Sequence, residues 1–97
     1  MISFSLEPAA VSKAVAHRAV EEIWYVVAGK GRLWRGQGTA EDVTVLAPGM
    51  SLTIPVGTSF QFCNDGNDVL QIVAVTMPPW PGDGEVYAVI GKWFDAR

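Results

Sequence analysis

The sequence predicts an all-β domain, a sandwich or a barrel. Three observations predict it: short runs rich in Val, Ile, Trp, Tyr, Phe and Thr, turn residues every few positions, and no convincing helical stretch between them. The 97 residues bound one small core, so the whole chain, 1–97, is expected to be a single domain with its centre in about residues 15–93. Hydrophobic residues make up 49% and charged residues 18%, a globular balance that argues against disorder.

The elements follow in chain order. The stretch AAVSKAVAHRAVEE, residues 9–22, has Ala, Lys and Glu at helical density but is marginal in length for an isolated helix, and extended chain is expected there. From Glu22 the chain reads EIWYVVAGKGRLW, two apolar runs around Gly29-Lys30-Gly31. Glycines at such a break supply the positive φ of a tight turn, which predicts a hairpin. Residues 35–42, RGQGTAED, are polar and glycine-containing, as in an exposed loop.

Short strands are expected at Val43–Leu46, Ser51–Ile54 and Ser59–Cys63, separated by turns at Ala47-Pro48-Gly49 and Pro55-Val56-Gly57. Alternation puts Leu52 with Ile54, and Phe60 with Phe62, on one face each. Ser51, Thr53, Gln61 and Cys63 take the opposite faces. The turn signal NDGND, 64–68, precedes VLQIVAVTM, a run apolar enough for a central strand. Three prolines in 77–84 exclude regular structure, and a last strand is expected over Glu85–Trp93.

Charge and cysteine content exclude several function classes. The net charge is −3 and the seven Lys and Arg residues are scattered, so no basic stripe meets a nucleic acid. The opening MISFSLEPAA lacks a cationic segment followed by an apolar run, and no stretch of about 18 apolar residues occurs. A soluble, cytoplasmic protein without a membrane partner is expected. Cys63 stands alone and cannot form an internal disulfide. Nothing in the surrounding sequence predicts a depressed pKa for it, so it is given no catalytic role.

Two stretches carry a family resemblance. In PGMSLTIPVGTSFQFCN the spacing is Gly49, five residues, Pro55, one, Gly57, two, Phe60, three, Asn64; upstream, Glu22 is followed by six residues and Gly29. Together, and in this order, they resemble the two motifs of the cupin superfamily. The resemblance implies a double-stranded β-helix, the jelly-roll barrel, and a pairing of subunits as a homodimer, which also shelters edge strands.

Cupin metal centres use a His-x-His pair and a glutamate from the first motif with a histidine from the second, a donor set that suits a divalent transition metal. Here the glutamate position is Glu22. The pair falls on Ala16 and Arg18, or with one more intervening residue on Val15 and His17, and Phe60 stands at the second-motif histidine. At most His17 and Glu22 remain as metal ligands, with Glu21 or Gln61 as conceivable helpers, so no tight metal site and no cofactor are expected.

Both surviving groups have a plain and a functional reading. His17 is either a surface or interface histidine beside Arg18, or a ligand or general base able to exchange protons near neutrality. Glu22 either faces the barrel interior as a site carboxylate or points outward while Glu21 faces in.

Trp24, Trp34, Phe60, Phe62, Trp80 and Trp93 either pack the core and a dimer contact or line a pocket, and MPPWP is either a lid or a rigid crossing. Two functions follow. The first is binding of a small organic ligand by Trp24, Phe60, Phe62 and Glu22 without a complete metal site. The second is an acid–base or metal-dependent enzyme of isomerase, epimerase or dioxygenase type, with Glu22 and His17 as its catalytic candidates.

Overall fold

The computed structural model describes residues 2–78, 81, 82 and 84–93. Among these residues nine strands follow one another: β1 Ile2–Leu6, β2 Val15–His17, β3 Glu21–Ala28, β4 Gly31–Gln37, β5 Ala40–Leu46, β6 Ser51–Ile54, β7 Ser59–Cys63, β8 Leu70–Met77 and β9 Val86–Ala88. They form two sheets, in the orders β1-β8-β3-β6 and β5-β4-β7-β2-β9, and every pairing is antiparallel. This is the two-sheeted jelly-roll barrel that the family resemblance implies.

The pleat sorts the side chains. Along β3 the even positions Glu22, Trp24 and Val26 are buried and Ile23, Tyr25 and Val27 are exposed, so a run that reads as continuously apolar is a strict alternation in space. The core joins Trp24, Val26, Leu33, Leu46, Leu52, Ile54, Phe60, Leu70, Ile72 and Ala74 across both sheets. Burying a large apolar side chain of this kind contributes about 1.5–3 kcal/mol. Leu52 and Ile54 share the inner face as expected, and β8 is central, between β1 and β3.

Three expectations are corrected. Residues 22–34 are no hairpin: β3 is flanked by β6 and β8, so its hydrogen-bonding edges are occupied and β4 joins the other sheet beside β5 and β7. Gly29-Lys30 is a crossing between sheets. Gly29 has φ of 86°, and a Cβ there would lie 2.5 Å from the Val69 carbonyl oxygen.

The exposed loop at 35–42 is mostly ladder, continuous from Gly31↔Leu46 to Gln37↔Ala40. Only Gly38 and Thr39 intervene, a two-residue hairpin turn with glycine first at φ of 62°. The last strand spans only Val86–Ala88, because Val89 leaves the ladder after its N–H donates to Ala14 O.

The extended N-terminal region contains two strands. β1 adds Ile2, Phe4 and Leu6 to the interior through its pairing with β8. β2 lies between β7 and β9. Cys63 and Gln61 do lie opposite Phe60 and Phe62, but they are buried, since the Val11 bridge covers Cys63 and the backbone of Ser12 and Trp93 covers Gln61.

Candidate functional site

At one end of the barrel, β2 delivers His17 and β3 delivers Glu22, both 2% exposed. The turn between them is fixed from outside by Glu85, whose Oε2 accepts the N–H groups of Ala19 at 2.7 Å and Val20 at 2.9 Å. Arg18 Nε donates to Gly84 O at 2.7 Å, and its guanidinium lies 4.6 Å from the centre of the Tyr87 ring. The Ala19 amide, foremost, holds the Glu85 carboxyl below the ordinary carboxylate range; burial opposes that shift, and the Val20 amide and nearby His17 reinforce it.

Within the barrel His17 Nε2 lies 2.8 Å from Glu22 Oε2, and Glu22 Oε1 accepts Trp24 Nε1–H at 2.6 Å. Glu22 and Trp24 meet because they are two residues apart on one strand face. A buried carboxylate is costly unless it is partnered, and here both oxygens have partners. Glu22 is therefore the inward glutamate, and His17 is no surface histidine.

Phe60 stacks on His17 with centroids 5.4 Å apart and planes at 22°. Trp24 stands edge-on to Phe60 at 5.8 Å and to Phe62 at 5.0 Å, and Phe4 closes the cluster against Trp24 at 5.8 Å. These rings border a cavity of about 270 Å³ lined also by Ile2, Lys13, Val15 and Val86, with the His17–Glu22 pair in its wall.

The four residues expected to contact a ligand, Trp24, Phe60, Phe62 and Glu22, thus meet around one space together with His17. Trp34 and Trp93 do not belong to it. Trp34 is buried against Gly36 on the face of β4 opposite Leu33, and the Trp93 ring lies 5.1 Å from the Arg32 guanidinium. Trp80, Pro79 and Asp83 lie outside the described residues, and with them most of the lid reading.

Sequence reasoning missed Ile2, Phe4, Lys13, Val86 and Glu85. The first two carry a legible signal, the alternation of ISFSL. Lys13 shares the odd-numbered line of Val15 and His17, whereas Val86 and Glu85 are recruited by the β2–β9 pairing alone.

The donor set decides how a metal would fit. Val15 and His17 line the cavity, which selects them over Ala16 and Arg18 as the pair positions. Val15 has no lone pair to offer, Phe60 has none at the second-motif position, and His17 and Glu22 are engaged with each other. Among the described residues no three His, Cys, Asp or Glu side chains converge on a metal-sized space. The residues present do not fit the cupin metal.

The Cupin domain family matches residues 2–76. The chain belongs to the cupin family. No curated protein matches it. Among solved structures this cupin resembles an uncharacterized conserved protein with a double-stranded β-helix domain from Klebsiella pneumoniae, at 20% identity and a TM-score of 0.75, covering 92% of this chain and 72% of that one.

It also resembles a predicted oxalate decarboxylase from Thermotoga maritima, at 23% identity and a TM-score of 0.67, covering 76% of this chain and 61% of the other. The capsular polysaccharide assembling protein CapF of Staphylococcus aureus matches at 17% identity and a TM-score of 0.80, over 90% of this chain and 27% of CapF. The cupin thus spans less than two thirds of the decarboxylase and about a quarter of CapF. At these identities the likeness is one of fold, and this barrel hosts many unrelated activities.

Proposed function

We propose that this cupin binds a small organic molecule in the cavity between β1, β2, β3, β7 and β9, without a metal. The observation that carries the reading is the composition of the cavity wall: four aromatic rings and one buried histidine–glutamate pair. Apolar walls with few polar groups are the usual makeup of small-molecule sites, the rings supplying affinity and the polar pair supplying orientation. Trp24, Phe60 and Phe62 contact the apolar body of the ligand and Glu22 with His17 meets its polar group.

The test is a screen of neutral one-ring fragments by NMR. Shifts confined to residues such as Ile2, Val15, the Trp24 indole and Val86 support the reading, and a library that moves none of them at millimolar concentration refutes it.

A second reading rests on the 2.8 Å contact of His17 with Glu22. A carboxylate that orients an imidazole beside a cavity is an arrangement able to move a proton to or from a bound molecule, as an isomerase or epimerase requires. Turnover that is lost in His17→Ala while ligand binding persists would favour this reading. Binding in both proteins without turnover favours the first.

The outer face of the β1-β8-β3-β6 sheet exposes Ile23, Tyr25, Val27, Val75 and Met77, with Ile23 opposite Val75 and Glu21 opposite Met77 in the β3–β8 ladder. We assign this contiguous apolar face to a second copy of the chain, which would remove it from water.

A further inference from the structure

The binding reading leaves one cation of the cavity without a role. Lys13 lines the cavity, its side chain is exposed, and it forms no ion pair among the described residues. It precedes His17 by four residues on the same line as Val15, an extended span of about 13 Å. The cavity therefore draws polar groups from two separated places on the chain: the buried His17–Glu22 pair in its wall, and the exposed Lys13, whose ammonium has no ion pair among the described residues. Apolar and aromatic side chains occupy the interval.

Charge sorts an incoming molecule between these places. With His17 protonated the inner pair is neutral overall and gives an anion little reason to approach. With His17 neutral the Glu22 carboxylate repels an anion. In both states an anionic group is favoured at Lys13 and disfavoured at Glu22. A void of about 150 Å³ accommodates benzene, so the observed 270 Å³ suits one ring with a short side chain.

We propose that the ligand is a one-ring aromatic carboxylate, its ring among Phe4, Trp24, Phe60 and Phe62 with any neutral polar substituent of the ring toward His17 and Glu22, and its carboxylate on the Lys13 ammonium. This assignment rests on the binding reading and adds the chemical class and orientation of the ligand.

The test titrates 3-phenylpropanoate and the neutral 3-phenylpropanamide into the wild-type chain, Lys13→Gln and Lys13→Glu, by calorimetry or NMR at low and high salt. The acid is expected to bind the wild type about fivefold tighter than the amide at low salt, the size of an exposed charge pair. Added salt should erode that preference, Lys13→Gln abolish it and Lys13→Glu reverse it, while amide affinity stays constant in all three proteins.

Equal affinities for acid and amide in the wild type, or a preference that survives in Lys13→Gln, would overturn the assignment and leave the binding reading intact. Binding of neither compound overturns it too, and the binding reading then stands or falls on the neutral-fragment shifts.

Discussion

Glu22 accepts from Trp24 and pairs with His17 while 2% exposed, so its partners hold a charge that water has been removed from. Deleting one member of a buried pair strands the other. Glu22→Ala is expected to cost about 3–5 kcal/mol in urea unfolding. The double change His17→Leu with Glu22→Leu removes both polar partners and should recover much of that loss; a double variant as unstable as the sum of its singles contradicts the coupling.

Glu85 gives a pH prediction. Its carboxyl titrates lower in the folded chain than in the unfolded chain, where Glu has a pKa of about 4.3, because the Ala19 and Val20 amides favour the ionised form. The unfolded state then binds the proton more readily. The contribution is complete above the unfolded pKa and is lost as pH falls through the folded one. Glu85→Gln is therefore expected to flatten the fall in stability below about pH 4. Parallel curves for the two proteins would refute this role. Lowered protection of the Ala19 and Val20 amides from hydrogen exchange should accompany the substitution.

At the scale of elements, the glycines that matter are those where the chain changes direction under constraint. Gly29→Ala places a Cβ against the Val69 carbonyl at a backbone φ of 86°, and both penalties act at the crossing between sheets. A loss of about 1–3 kcal/mol is expected. Gly38 has φ of 62° with nothing within 4 Å of a Cβ, and Gly38→Ala should cost less, because the conformational penalty acts there without a close approach. Thermal unfolding of the two variants side by side checks the contrast. Equal losses would mean that conformation, and not the close approach at Val69, sets the cost at Gly29.

For the whole molecule, the exposed face bearing Ile23, Tyr25 and Val75 predicts a dimer in solution. Sedimentation at micromolar concentration should give twice the chain mass, and Tyr25→Asp with Val75→Asp should halve it. A wild-type monomer under those conditions refutes the assignment.

Much of this architecture was legible in the sequence because it depends on local pattern. Alternation placed Leu52, Ile54, Phe60 and Phe62 on their faces, the turn residues marked most strand ends, and the two spaced motifs implied the barrel and singled out Glu22 and Phe60. No helix among the described residues is long and apolar enough to cross a membrane, as composition also indicates.

What local pattern could not supply was partnership between distant residues. EIWYVVAGKGRLW looks the same whether its two runs pair with each other or with separate sheets, and only the occupied edges of β3 decided that. RGQGTAED reads as a loop until Arg35, Gly36 and Gln37 pair with Asp42, Glu41 and Ala40 on one side and Arg35 and Gly36 with Phe60 and Ser59 of β7 on the other. The sequence by itself determined the class of fold and that Phe60 stands at the second-motif position, since both reside in residue type and spacing. The tertiary structure decided that His17 meets Glu22, that Lys13 borders the cavity and that Glu85 holds the corner between β2 and β3. Those contacts join residues from separate strands, and their distances depend on the closure of the barrel.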